Sequence, residues 1–296
     1  MAEKNKFRYG GQAGMEGVMM RGQRATVTAV RQPGGGVAMD IQPIPSIYGG
    51  WMRRTPLLRG IIVLIESLVL GIKSLSYSAN VALEEEQEEI PAKAMWGMIA
   101  LALILVVLLF FLAPLFLTKL VNPLIPNSVV FNIVEGVIRL AIFIVYLKVI
   151  SLLPDIKRTF AYHGAEHKTV NAYEAGVPLE VETVRQYDKA HTRCGTSFLL
   201  VVMVIAVVVF SFVGRPALWL MVLFRVVLIP VIAALAYEFI YFGARHYNNR
   251  LVKALLSPGL LLQSLTTREP DDRQLEVGIA ALKKAVEIDR EEAAPS

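Results

Sequence analysis

The chain has 296 residues, 55% of them hydrophobic, and a mean hydropathy of +0.52, a composition that points to a membrane protein rather than an ordinary soluble domain. Its single cysteine excludes an internal disulfide, and the N-terminal MAEKNKFRYGGQAG has neither the apolar stretch nor the cleavage site of a removable secretory signal. The net charge of +5 is not gathered into one stripe interleaved with aromatic residues, so nucleic acid is not predicted as a partner.

Residues 1–55 form a glycine-rich N-terminal region. Its GGQAGMEGVMMRG run has no regular period and reads as a shaped loop, while 25–31 and 36–42 are β-prone and are joined by the turn-forming PGGG. A small hairpin is predicted there, and because a lone hairpin is marginal in water it must lie on something else. In 56–93 a helix over 57–77 carries Arg59, Glu66 and Lys73 at intervals of seven, which places all three on one face. It reads as amphipathic, lying in the membrane interface or packing its polar stripe inward. The acidic EEEQEE run at 84–89 follows.

The segment 94–153 is predicted to be a pair of transmembrane helices. Its first arm, Ala94 to Thr118, has 25 residues without a charge, and about 20 apolar residues suffice to cross the hydrocarbon core. Its second arm, from Val129, carries Glu135, Arg139 and Lys148. Residues 154–195 form a polar motif loop. A second pair occupies 196–242, its first arm uncharged from Thr196 to Gly214 and its second arm carrying Arg225 and Glu238. Charges at membrane depth pair or line a polar cavity, and the depths of Glu135 and Arg225 allow them to meet. In the tail, 243–296, a break is expected at Ser257, Pro258 and Gly259. Beyond TTREPDD, the spacing of Leu275, Ile279, Leu282 and Val286 predicts a core-facing helix.

The fold class that emerges is mainly α: a polytopic membrane protein with about four transmembrane helices, an N-terminal hairpin region and an amphipathic 57–77 helix. With four crossings, the N-terminal region, the motif loop and the tail share one side, which carries 24 Lys and Arg against 2, Lys119 and Arg215, on the other. The positive-inside rule makes that richer side cytoplasmic, with both termini and the motif loop. The bilayer is the expected environment, and a membrane-protein complex is an expected partner.

Reactive side chains concentrate in HGAEHKTVNAYEAGVPLEVETVRQYDKAHTRCGTSF, which holds three of the four histidines and the only cysteine. On a helix His163 and His167 lie about 40° apart and can grip one metal. Glu174 falls on the same face as a third ligand or as an acceptor for an imidazole N–H. Glu166 completes H-x-x-E-H, the inverted zincin pattern in which the glutamate is the general base. His191 and Cys194 stand further along the same loop, and zinc accepts both donor types. The plainer alternative is that these histidines hydrogen-bond between loops. Cys194 has its own alternatives: a nucleophile activated by His191 or His163, or an inert or lipidated residue. Glu16, in the glycine-rich stretch, is a spare ligand or substrate contact, and Glu238 is within reach of the motif from its helix end.

Taken together and in this order, GGQAGMEGVMMRG, HGAEHKTVNAYE, HTRCGTSF and TTREPDD resemble the YqhQ-like family, the domain of unknown function 1385. The resemblance spans nearly the whole chain. It implies a bacterial plasma-membrane location, and the family has been described, from motifs such as these, as metal-dependent enzymes. Where the family's first motif has an apolar residue this chain has Gly14. The leading reading is a membrane protein with a cytosol-facing divalent-metal site, zinc being the candidate, in which His163, His167, His191 and Glu174 are ligands and Glu166 and Cys194 are catalytic groups of a hydrolase. The alternative is a non-enzymatic scaffold or accessory subunit of a larger membrane complex.

Overall fold

The computed structural model describes residues 7–45, 48, 50–82, 91–125, 127–214 and 216–291; the acidic run at 84–89 and Arg215 lie outside them. The N-terminal region is a four-stranded antiparallel meander of β1 (Gly10–Gly14), β2 (Gly17–Arg21), β3 (Ala25–Arg31) and β4 (Val37–Pro43). β3 and β4 are the predicted hairpin, with Ala25 opposite Pro43. The stretch expected as a loop is instead a second hairpin, with Gly14 opposite Gly17. Its glycines hide the alternation of a strand, yet they serve close approach: a Cβ on Gly11 would stand 2.2 Å from the Met19 carbonyl oxygen and 3.0 Å from Glu166 Cγ, and one on Gly17 would stand 2.5 Å from the Ala29 oxygen.

The sheet is covered on both faces, and the period-two alternation of a strand decides which side chain meets which layer. Val18, Met20, Val27 and Ala29 turn into a core with Tyr162, Val170, Val277, Ala281 and Leu282, which belong to α5 (Pro154–Ala175) and α11 (Asp272–Glu291). Asp289 ties the far end of α11 to the β2–β3 turn, accepting from the backbone N–H of Gln23 and Arg24 and from the Tyr9 hydroxyl. Burial and then the Asp289 carboxylate push the Tyr9 hydroxyl well above its ordinary pKa.

On the opposite face lies α1 (Leu58–Ala82), longer than the predicted 57–77 helix. It turns Glu66, Leu70, Ser74 and Ser78 inward. Glu66 accepts from Arg21 and Arg53, Ser74 pairs with Thr28, and Ser78 accepts from the Met15 N–H. Outward it exposes Ile65, Leu68, Ile72 and Leu75. Of the predicted stripe, Glu66 turns into the protein and Arg59 is half-buried, as inward packing requires, whereas Lys73 is exposed.

The apolar body follows. α2 (Ala92–Val107), a wide π turn over Leu108–Leu112 and α3 (Ala113–Leu120) form one rod; then come α4 (Ser128–Ile150), the short α6 (Val181–Val184) after α5, α7 (Gly195–Val213), α8 (Leu218–Val227), α9 (Ile229–Arg245) and α10 (Arg250–Thr266). Two helices, Trp96–Leu120 and Gly195–Val213, are long and apolar enough to cross a membrane, and up to four spans result if each bent pair, α4 with α5 at 102° and α8 with α9 at 44°, is one. Inside this body Glu135 accepts from both Arg139 and Arg225, and Arg139 Nε donates to the Phe110 carbonyl of the π turn at 2.9 Å.

The break expected at Ser257–Gly259 does not occur, because α10 runs through Pro258. Proline lacks the N–H that would reach the carbonyl four residues back, and here the Ser257 hydroxyl donates to that Ala254 carbonyl at 2.8 Å instead. Gly259 lets α10 sit against α7, since a Cβ there would lie 2.9 Å from Ser197 Oγ.

Candidate metal site

α5 begins with Pro154, whose fixed φ suits a first helical turn, and ends at Gly176 in the left-handed conformation (φ 75°). Small residues set its depth. A Cβ on Gly164 would stand 2.1 Å from the Arg268 carbonyl oxygen, and one on Gly278 would stand 3.0 Å from Thr169 Oγ1. Only glycine admits the TTREPDD segment on one side and α11 on the other.

That close seating aims backbone carbonyls at the histidines. His163 Nδ1 lies 2.8 Å from the Thr266 carbonyl, at the end of α10, and His167 Nδ1 lies 2.6 Å from the Lys189 carbonyl. A carbonyl only accepts, so each Nδ1 carries the proton and each Nε2 of the neutral ring keeps its lone pair. Metal-ligating histidines are oriented in this manner. Cys194 Sγ is 3.4 Å from His163 Nε2, caps α7 and accepts from the Thr196 N–H. One ligand atom each of His163, His167 and Cys194 lie within 4.8 Å of one another. Tetrahedral zinc, with bonds of about 2.1 Å to nitrogen and 2.3 Å to sulfur, sets N and S about 3.6 Å apart. His163, His167 and Cys194 could therefore hold a metal ion, and the 3.4 Å between His163 Nε2 and Cys194 Sγ is close to that spacing.

Glu166 is buried beneath Gly11 of β1, its Oε2 3.4 Å from His167 Nε2, and it is not among the three converging ligand atoms. His191 is beside the trio rather than in it: its ring is 5.6 Å from that of His167 and its Nε2 is buried with no hydrogen-bond partner. Its backbone is clamped by Gln263, which accepts from the His191 N–H and donates to the His191 carbonyl. Glu174 faces His191 at 3.7 Å and binds Arg193. Burial alone would raise the Glu174 carboxyl; His191 and Arg193 outweigh it and hold it down at about 2.

Further bonds fix the loop that carries these groups. Asn171 donates to the carbonyls of Asp188 and Ala190, and Lys168 to that of Arg185. Thr266, Lys189 and Gln263 were not singled out from the sequence. The first two act through backbone carbonyls, which no residue type announces, whereas a glutamine inside LLLQSL does flag a buried amide.

The structure places the other two candidates elsewhere. Glu16 is in the β1–β2 turn at φ 52°, a conformation that costs a non-glycine residue about 1–3 kcal/mol, and it accepts from Arg158 and the Tyr162 hydroxyl. Glu238 does not turn to the motif but to α1, accepting from Arg59 and from the Leu57 N–H.

The comparisons with known proteins agree with this layout in extent. The family described as "Protein of unknown function (DUF1385)" matches residues 55–288. The uncharacterized protein YqhQ of Bacillus subtilis (strain 168) is 34% identical over 297 residues, covering 95% of this chain and 93% of that protein. No solved structure matches the chain. The chain belongs to the DUF1385 family of proteins of unknown function.

Proposed function

We propose that this protein is a multi-pass protein of the bacterial plasma membrane whose sheet, α5 and α11 face the cytosol and carry a divalent-metal site, with zinc as the candidate ion, for a hydrolytic reaction. One observation carries the reading: a ring nitrogen from each of His163 and His167 and the Cys194 sulfur lie within 4.8 Å of one another, with both rings fixed by backbone carbonyls at Nδ1. His163, His167 and Cys194 are the residues that would hold the ion. A bound divalent ion supplies Lewis-acid polarisation of a substrate oxygen and acidifies water.

The remaining chemistry belongs to side chains. Glu166, buried and adjoining His167, takes the proton from the attacking water and passes it to the leaving group. Gly11 and β1 close over it and exclude bulk water. His191 and Glu174 sit behind the ligands and brace the loop. Support for the cytosolic orientation is the distribution of Lys and Arg, 24 on the side of the motif and 2 opposite under four crossings.

Metal content of the purified protein tests the reading. Roughly one equivalent per chain is expected, falling to background in His163→Ala and His167→Ala while the protein stays folded. Wild-type protein without stoichiometric metal overturns it. The competing scaffold reading predicts a metal-free protein that purifies with a stoichiometric companion.

A further inference from the structure

The β1–β2 and β3–β4 turns lie at the same end of the sheet, and between them, the first half of α5 and the start of α11 is a cavity of about 570 Å³. Sites for small molecules run from roughly 300 to 1,000 Å³. The wall carries Glu16, Arg31, Arg158, Tyr162, Arg273 and Glu276. It is on the other side of α5 from the histidine group: Arg158 and Tyr162 turn to Glu16, while His163 and His167 turn to Thr266 and Lys189.

The formal charges of these side chains nearly cancel, but their hydrogen-bonding capacity does not. The acceptors are engaged. Glu16 takes Nε and Nη2 of Arg158 and the Tyr162 hydroxyl, Glu276 takes Arg31, and Asp271 caps α11 in a reciprocal pair with Gln274. Arg31 is spent on the Gly35 and Arg273 carbonyls and on Glu276, and its Nε is sealed from the cavity. Two other donors are left over. Arg158 binds Glu16 through one edge of its guanidinium only, and Arg273 has no ion-pair partner among the described residues. These two guanidinium groups come from α5 and α11, so they are offered from separate directions. The positive end of α11, a 20-residue helix, adds to the same field.

We propose that this cavity binds a phosphate-bearing small molecule, its phosphoryl oxygens taken by the free edge of Arg158 and by Arg273. A phosphate fits because it accepts from several directions at once, whereas a carboxylate offers two oxygens in one plane. Glu16 is the positioning residue. Its left-handed backbone and its grip on Arg158 hold one guanidinium edge toward the cavity. The phosphate comes either from a soluble metabolite or from a lipid headgroup, because Ala82 at the end of the outward-apolar α1 also lines the wall.

The test is calorimetric titration of the full-length protein with inorganic pyrophosphate, in nanodiscs of neutral phosphatidylcholine with chelator present. Saturable binding is expected, at least tenfold weaker in Arg273→Ala and lost in Arg273→Glu, with the melting temperature of the unliganded protein unchanged because that side chain is exposed and holds nothing. His163→Ala is expected to bind as wild type does, which separates this cavity from the histidine group. Discs containing phosphatidic acid distinguish the sources: suppressed pyrophosphate binding marks the headgroup as occupant, and undiminished binding marks a soluble ligand. No saturable binding in either disc, or equal affinity in the wild type and both Arg273 variants, overturns the proposal.

Discussion

Between the apolar helices Glu135 is gripped by Arg139 and Arg225 together, with Arg139 also reaching the Phe110 carbonyl, whereas in the head formed by the sheet, α5 and α11, His163 and His167 are each held from behind by a carbonyl and only loosely contacted in front, by Cys194 and Glu166. Both groups are largely buried and both draw on three or more elements. They differ in what remains available. In a hydrocarbon environment no water substitutes for a missing partner, so charges there must satisfy one another. The Glu135 group accordingly joins α4, α8 and the π turn and offers its carboxylate nowhere else. The histidine group has its orientation fixed by backbone carbonyls, while its Nε2 atoms make only the looser contacts with Cys194 Sγ and Glu166 Oε2, each at 3.4 Å. A closed polar group locks the body, and an open one equips the head.

That contrast is most directly broken at Glu135. Glu135→Ala leaves two buried guanidinium groups without their shared carboxylate, and breaking a buried ion pair in this way costs about 3–5 kcal/mol. His163→Ala removes the hydrogen bond to the Thr266 carbonyl and the long contact with Cys194 Sγ, together about 1–2 kcal/mol. Denaturant titration of the two variants in the same detergent compares them, and a Glu135→Ala loss no larger than that of His163→Ala would contradict the locking role.

A smaller and more local effect is expected at Gly164. Gly164→Ala puts a methyl group 2.1 Å from the Arg268 carbonyl oxygen, an overpacking that costs about 1–3 kcal/mol. The backbone that must yield is the one carrying the Thr266 carbonyl behind His163, and loss of such a support lowers metal affinity about 10–100-fold. Competition with a chromogenic chelator measures it. Weakened stability with metal affinity intact would mean that the carbonyl is not what orients the ring.

The same distinction explains what was legible in the sequence. H-x-x-E-H could be read because four residues on a helix are one turn, and the 275–286 periodicity is local in the same sense. Their depths under four crossings only allowed Glu135 and Arg225 to meet, with Arg139 one turn away as the local alternative, and Glu135 accepts from both arginines. The glycine-rich strands were not legible, because Gly11, Gly14 and Gly17 are there for what approaches them, Glu166, Ser78 and the Ala29 carbonyl, and those neighbours are distant in the chain. Continuation of α10 through Pro258 was hidden in a single hydroxyl, that of Ser257. Glu238 was read toward the motif because α9 ends near it in sequence, but α1 supplies Arg59 first.

The mildest effect is at Glu174, which lies between the two plans: paired as Glu135 is, yet 35% exposed at its side chain. Its carboxyl is held at about 2 instead of the ordinary 4.5, so on acidification the unfolded chain takes up the proton first. The stabilisation is therefore complete above about pH 5.5 and is lost as pH falls through 4.5 toward 2. Glu174→Gln removes it at every pH, so the melting-temperature gap between wild type and variant should be constant near neutrality and should close in acid. Solvent screening keeps that gap small at this exposure. Melting curves stepped from about pH 6 to about pH 3 decide the matter: a gap that does not change with pH would mean that Glu174 supports the loop by shape and hydrogen bonding rather than by charge. His191 would then be braced by Gln263 and by the shape of Glu174 rather than its charge, and the head would depend on neutral contacts where the body depends on ionic ones.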